Sequence, residues 1–516
     1  MKRFSKICLS CLLAMTSLLI TACGGSDDKG KDDPIISNPL IQRSCSLAEG
    51  SEVNASDVTS ITLSYNAKVV AMPSKITLNG SPVDTKSGTT KLDLVINVML
   101  EAGKSYTLDV PAGAVVKEED NSVSAPAFKL NFKTKEKPTP VENAAIALTK
   151  QLGWGWNLGN HFDSYDGNNA KDNYRITWSK DCPYWDGVNP KEDLYKNLAA
   201  AGAKTVRIPV TWGPYENMED GKYTIDANYM ATVKKNVLWA KNAGLNVILN
   251  THHDEYWQDA YGASTNADTN KSIKERLTAT WTQIAEEFKD EGDYLIFEAF
   301  NELNHNWQNP TTKELQIQNE WNQLVVDVIR ATGGNNATRW IAVPSYQANI
   351  GYALKSDFKI PTDAANKIIV AVHCYDPYDF TLKDPLTEKW GHAAANSWDE
   401  SNVVKTLNQL FDNFIAKGQP CYLGEYGCST HTTELGEKCR NYYLEYFCRA
   451  AYFANVSLVL WDNNVTKAGA ESHGYFNHGD GSFQGDCEAL VKTMIKAATS
   501  DDEAYTLESI YNKAPK

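Results

Sequence analysis

Two glutamates each follow an apolar run at a point where an ordinary strand would stay apolar or turn. Glu302 comes after residues 295–300 and Asn301, and Glu425 after Cys421-Tyr422-Leu423-Gly424. A carboxylate buried at such a place needs partners. Other polar or aromatic residues stand at matching points after apolar runs: Asn160 and Asp163, Arg207, His252-His253-Asp254, Tyr346, His373 with Tyr375, and Trp461. Each alone is a weak signal, since Asn-Glu recurs at Asn319-Glu320 within a helical stretch. Together they suit one chemistry. A carboxyl group that holds a proton and a second that is ionised can protonate a leaving oxygen and attack an anomeric carbon, as hydrolysis of a glycosidic bond requires. Arg207 reads either as a core ion pair or as the cation that keeps one carboxylate ionised. The 14 Trp and 25 Tyr suit stacking on the C–H faces of sugars.

The adjacent His252 and His253 raise the alternative of a metal. Neighbouring strand residues point to opposite faces, and no further His or Cys stands at ligand spacing. No metal and no organic cofactor is therefore expected, and one of the two histidines also reads as a structural hydrogen-bonding group. Trp257, Trp307 and Trp390 divide between cleft wall and packing.

These residues need a scaffold that gathers strand ends. From residue 142 to 516, eight short apolar runs recur, around residues 154–156, 206–210, 247–250, 295–300, 340–344, 368–372, 422–424 and 458–461. Amphipathic stretches separate most of them; one puts Leu277, Trp281, Ile284, Ala285 and Phe288 on a common face. Strands alternating with helices predict a (β/α)8 TIM barrel of the α/β class, whose site lies at the C-terminal strand ends. Glu302 and Glu425 then sit at the tips of strands four and seven.

Residues 36–134 alternate with period two instead: Ile61, Leu63, Tyr65; Leu92, Leu94, Ile96, Val98; Tyr106, Leu108, Val110; Phe128, Leu130, Phe132. Turn residues such as Asn79-Gly80 separate these runs, which predicts a small all-β sandwich. The run from Ser105-Tyr106-Thr107-Leu108 to Phe132-Lys133-Thr134 resembles bacterial Ig-like modules. All 14 tryptophans lie at or after Trp154, so the module reads as a spacer rather than a sugar-binding surface. Residues 135–141, with Pro138 and Pro140, form a stiff linker.

The chain begins Met1-Lys2-Arg3 and continues with 16 uncharged residues, 7–22. That is shorter than the roughly 20 residues of a membrane-spanning helix and reads as a signal peptide over 1–22. Its end, Leu19-Ile20-Thr21-Ala22-Cys23-Gly24, resembles the bacterial lipobox, which implies lipidation of Cys23 and a membrane anchor. Residues 23–35 are a polar tether. Its acidic clusters resemble the export signal of surface lipoproteins, implying an outer-membrane, cell-surface location. Over the whole chain of 516 residues, 50 basic against 64 acidic side chains give a net charge of −14. Nucleic acid is thus not an expected partner, and a monomer is expected. Of the 11 cysteines, those at 8 and 11 leave with the signal peptide, and the cysteines beyond Cys23 are expected to be mostly reduced core residues.

Seven motifs in order make a more specific resemblance: Gly155-Trp156-Asn157-Leu158-Gly159-Asn160, Arg207-Ile208-Pro209-Val210, Leu249-Asn250-Thr251-His252-His253-Asp254, Phe297-Glu298-Ala299-Phe300-Asn301-Glu302, Val370-Ala371-Val372-His373, Gly424-Glu425-Tyr426-Gly427 and Leu460-Trp461-Asp462-Asn463-Asn464. Residues 150–500 resemble glycoside hydrolase family 5, most of all its subfamily 4 of endo-β-1,4-glucanases and xyloglucanases. The resemblance implies a retaining enzyme acting on a β-glucan. It implies Glu302 as acid/base, Glu425 as nucleophile, Asn301 on the sugar 2-hydroxyl, and Arg207 with Tyr375 orienting Glu425. It places His252, His253 and His373 around the central subsite, Trp461 beneath its sugar, and Asn160 and Asp163 among the substrate contacts. Two departures stand out: Leu303-Asn304 where members often carry proline, and His161-Phe162 before Asp163 in place of Thr-Leu. A β-mannanase or xylanase on the same barrel, or an inactive glycan-binding protein, are the alternative readings.

Overall fold

The computed structural model describes residues 39–515, apart from 59, 73–74, 137–141, 166–184, 219–220, 255–259 and 393–397. The signal peptide, the tether with Cys23, most of the linker and Trp257 lie outside the described residues.

The N-terminal region is built from strands in two main sheets. One orders Gln42–Cys45, Ser60–Tyr65, Asp93–Asn97 and Thr85–Ser87; the other orders Glu52–Val53, Phe128–Thr134, Ser105–Val110, Thr77–Leu78 and Ser81–Pro82. Most pairings are antiparallel, and Ile61 lies opposite Ile96 while Leu108 lies opposite Leu130. The period-two apolar residues of both sheets meet in one core containing Ile61, Leu63, Leu94, Ile96, Leu108, Leu130 and Phe132. Burying each such side chain contributes about 1.5–3 kcal/mol. Leu92 departs from the expected pattern, being 39% exposed, because it precedes the strand and follows Lys91, a turn residue at φ 59°.

Beyond residue 142, eight parallel strands close a barrel in chain order. We number them β1 (Trp154–Asn157), β2 (Thr205–Ile208), β3 (Asn246–Asn250), β4 (Leu295–Glu298), β5 (Ile341–Asn349), β6 (Ile368–Cys374), β7 (Cys421–Tyr426) and β8 (Ser457–Leu460). Closure pairs β1 with β8 through Trp154 opposite Leu458. The lower interior is apolar. Ile248, Ile296, Ala342, Ile369, Ala371, Tyr422 and Val459 cluster there with Leu148 and Leu152 of the helix Ala144–Leu152. The outward strand faces pack against the helices, and the predicted stripe Leu277, Trp281, Ile284, Ala285 and Phe288 is fully buried in that shell.

Side chains in a strand recur on one face every second residue. Two positions beyond Ile248 comes Asn250, beyond Ile296 comes Glu298, and beyond Ala371 comes His373, all buried. Arg207 and Asn157 stand at the same height on β2 and β1, opposite each other in register. The barrel interior therefore changes from apolar to polar in one layer, at the C-terminal mouth.

The two regions touch. Met99 packs against the barrel core and accepts from the Tyr446 hydroxyl at 2.8 Å, and the Tyr511 hydroxyl donates to Asp84 at 3.3 Å. The seven described cysteines are unpaired thiols, five of them buried. Burial pushes the Cys374 thiol up to about 12, which makes it a poor nucleophile.

Candidate active site

Arg207 organises the polar layer. Its Nε donates to Glu298 at 3.1 Å; Nη1 donates to Asn157 Oδ1 at 3.0 Å and Glu425 Oε1 at 2.8 Å; Nη2 donates to Glu298 at 2.6 Å and Asn301 Oδ1 at 2.7 Å. A guanidinium has five N–H groups, and these contacts engage all of them. Glu298 also accepts from Asn250 at 2.9 Å and from the Tyr422 hydroxyl at 2.5 Å. Burial disfavours its charge, but Arg207 outweighs burial and holds the Glu298 carboxyl below its ordinary value. Arg207 is thus both the core ion pair and the cation beside Glu425, two readings that the sequence presented as alternatives.

Glu425 accepts from Arg207 on one oxygen and from the Tyr375 hydroxyl, at 3.0 Å, on the other. Burial and the Glu425 charge push the Tyr375 phenol well above its usual range, so it stays a donor. Glu302 has neither partner; its Oε1 lies 2.7 Å from Nδ1 of His373. Carboxylate oxygens of Glu302 and Glu425 and a ring nitrogen of His373 all lie within 4.8 Å of one another. Burial raises both carboxyl groups, Glu302 to about 7, with Arg207 opposing and Glu298 adding to the rise. The two hydrogen bonds on Glu425 favour its ionised form. Burial lowers His373 to about 4, so its imidazole is neutral. Gly424 gives this ring its room, since a Cβ there would lie 3.1 Å from His373 Nε2.

One wall of the mouth is formed by β1, β3 and β8. Trp461 lies parallel to His252 with centroids 5.9 Å apart, and His252 meets His253 edge to face at 4.4 Å. Both histidines are lowered by burial, His253 to about 4. Donor atoms of Asp163, His252 and His253 lie within 4.8 Å of one another, a second set that could hold a cation besides Glu302, His373 and Glu425. This corrects the expectation that the histidines diverge: β3 ends at Asn250, so strand alternation does not govern residues 252 and 253. Burial raises Asp163 to about 7; its Oδ2 accepts from the Asn160 amide at 3.1 Å, while Oδ1 has no partner. Gly159 allows Asp462 O and the Trp461 ring to approach, since a Cβ there would meet them at 2.6 and 2.8 Å.

The structure thus joins Arg207, Asn301, Glu302, His373, Tyr375 and Glu425 directly, with Asp163, His252, His253 and Trp461 as the adjoining wall and Asn160 held by its backbone. Tyr346 is buried against Tyr352 instead. Trp390 is core, 1% exposed beside Phe380 and Tyr443, whereas Trp307 is 64% exposed.

Sequence reasoning missed the supporting charges. Glu298 carried a signal, a lone charge inside the apolar run before Asn301. Less legible is a buried chain behind the wall. His161 Nδ1 lies 3.0 Å from Asp186 Oδ2, His478 Nδ1 3.0 Å from the same oxygen, His478 Nε2 3.1 Å from Asp462 Oδ1, and Trp156 Nε1 donates to Asp462 Oδ2 at 2.8 Å. His161 is therefore turned into this chain. Burial opposes charge on His478, but the two aspartates raise it to about 9.

Because that folded value exceeds the ordinary 6.5, the charge contributes fully below pH 6.5 and its contribution is lost as pH rises through about 9. The shift corresponds to roughly 3 kcal/mol. Urea unfolding should show wild-type stability falling across that window, with the fall largely absent in His478→Asn. Equal pH slopes in the two proteins would contradict it.

A closed parallel barrel with two carboxyl groups this close at the tips of β4 and β7 defines a glycoside hydrolase. The profile described as "Cellulase (glycosyl hydrolase family 5)" matches residues 163–467. The chain is 35% identical over 355 residues to Endoglucanase B of Neocallimastix patriciarum, covering 68% of this chain and 71% of that one. It is 31% identical over 404 residues to a xyloglucan-specific endo-β-1,4-glucanase of Bacteroides ovatus, covering 71% and 78%. The solved structure of a GH5-4 broad specificity endoglucanase from Bacteroides salanitronis superposes with a TM-score of 0.63 at 37% identity, covering 70% of this chain and 97% of that one. The chain belongs to glycoside hydrolase family 5.

Proposed function

We propose that the protein is a retaining endo-β-1,4-glucanase that cuts internal bonds of cellulose-like β-glucans or xyloglucan. The observation that carries this is the closeness of the Glu302 and Glu425 oxygens, within 4.8 Å. Retaining enzymes hold their carboxyl groups about 5–5.5 Å apart, whereas inverting ones need roughly 6.5–9.5 Å to admit a water between carboxylate and sugar. Glu302 gives its proton to the leaving oxygen as Glu425 attacks the anomeric carbon. Glu302 then takes a proton from the water that releases the glycosyl group. Arg207 and Tyr375 keep Glu425 ionised and aimed. Arg207 occupies the Asn301 carbonyl, which leaves the amide N–H2 for the sugar 2-hydroxyl. His252, His253, Asp163, Asn160 and Trp461 hold the attacked sugar.

The relatives named above support the choice of backbone, one being xyloglucan-specific and another of broad specificity. Reducing-sugar release from xyloglucan, mixed-linkage glucan, carboxymethylcellulose, glucomannan and xylan tests it. Release confined to glucomannan or xylan would refute it. The N-terminal sequence supports an anchor through lipidated Cys23 on the outer-membrane surface, with the sandwich as an Ig-like spacer. Globomycin-sensitive processing and palmitate labelling, both lost in Cys23→Ala, test the anchor.

The pH dependence follows from the same pair. kcat/KM should fall on the acid side as Glu425 takes a proton, and on the alkaline side, with an apparent pKa near 7, as Glu302 loses its own. A profile flat to pH 9 would contradict this assignment of the acid.

A further inference from the structure

We infer that Trp307 is a platform for the sugar ring on the leaving-group side of the scissile bond, set in place by Asn304; this rests on the glucanase reading. Trp307 is the most exposed large apolar side chain among the described residues, at 64%. It is also held in a conformation that a bulky residue rarely adopts. Its φ is 57°, and that of the preceding Asn306 is 48°, both in the left-handed region. Such a backbone persists in a bulky L-residue only where the surroundings fix it, and outliers of this kind gather at functional sites.

The surroundings here do fix it. The Asn304 side chain is nearly buried and bridges the loop: its Nδ2 donates to Glu302 O at 2.8 Å, and its Oδ1 accepts from the Trp307 amide at 3.1 Å. The acid and the tryptophan are therefore coupled through one side chain. The end of β5 and the turn that follows it hold the other edge. The Gln347 amide donates to Leu303 O at 2.9 Å, Gln347 Nε2 to Gln308 O at 3.2 Å, and the Tyr352 hydroxyl to Asn309 at 2.8 Å. Gln347 and Ala348 are themselves left-handed, at φ 57° and 47°.

Position supplies the ligand. The attacked sugar belongs with Trp461, His252 and Asp163 on the wall from β1, β3 and β8. The acid on β4 protonates the oxygen joining it to the next sugar, so the leaving sugar lies on the Glu302 side. Trp307 stands in the loop that leaves Glu302. An exposed indole there matches the apolar face of a β-linked glucose ring, whereas an ordinary solvent-facing turn would carry Gly or Asn at that φ.

The test compares two substrates in the full chain. 4-Nitrophenyl β-cellotrioside offers an aryl leaving group without a leaving sugar, and cellohexaose offers sugars on both sides. In Trp307→Ala the ratio of kcat/KM for cellohexaose to that for the aryl glycoside should fall about tenfold. Trp307→Phe should keep most of the wild-type ratio. Trp307→Gly, which suits the backbone, should lower the ratio as alanine does without lowering the melting temperature. A ratio within twofold of wild type in Trp307→Ala would overturn the inference, as would an equal loss on both substrates, which would mark Trp307 as support for the Glu302 loop. If the wild type cleaves neither substrate, the glucanase reading itself fails.

Discussion

Glu425→Ala is expected to lower turnover by at least about 10⁴-fold, the scale at which removing a nucleophile reduces an enzyme to its residual binding and acid catalysis. Azide should then restore cleavage, because the small anion fits the space the side chain vacates. It attacks from the face Glu425 used, so the product should be the α-glycosyl azide. Glu302→Ala should instead retain glycosylation of Glu425 by substrates with a good leaving group, and azide should give the β-azide. Proton NMR of the first wild-type product should show the β-anomer. An initial α-anomer would remove Glu425 from the nucleophile role and the retaining assignment with it.

Arg207→Met should be the most damaging change to stability at the mouth, costing about 3–5 kcal/mol. The five donors it removes leave Glu298 and Glu425 buried without their cation. Chemical unfolding measures the loss, and kcat/KM should fall with it as Glu425 becomes easier to protonate. Adding Glu298→Gln removes one uncompensated charge, so the double variant should regain part of the stability and none of the activity. A single variant within 1 kcal/mol of wild type would show that the cluster is not held by Arg207.

The sequence made the barrel legible because its strands are apolar runs, and strand alternation carries Arg207, Asn250, Glu298 and His373 to the mouth. Glu302 and Glu425 were visible as charges where such runs end. The chain His161, Asp186, His478, Asp462 was not, since its members come from loops whose spacing follows no period. The directions of His252 and His253 are not legible for a related reason, because alternation stops where the strand stops. Trp307 and Trp390 look alike as letters; the exposure and φ of one and the burial of the other among aromatic neighbours separate them.

The Arg207 cluster also ties the chemistry to the completeness of the barrel. Arg207 stands on β2, Glu298 on β4 and Glu425 on β7, so one guanidinium joins strands from both halves of the closed sheet. The polar layer is therefore a sum of contributions that no half of the barrel contains: the first half holds the Arg207–Glu298 pair without Glu425, and the second holds Glu425 without its cation. Splitting the chain between β4 and β5 would divide the site as well as the fold.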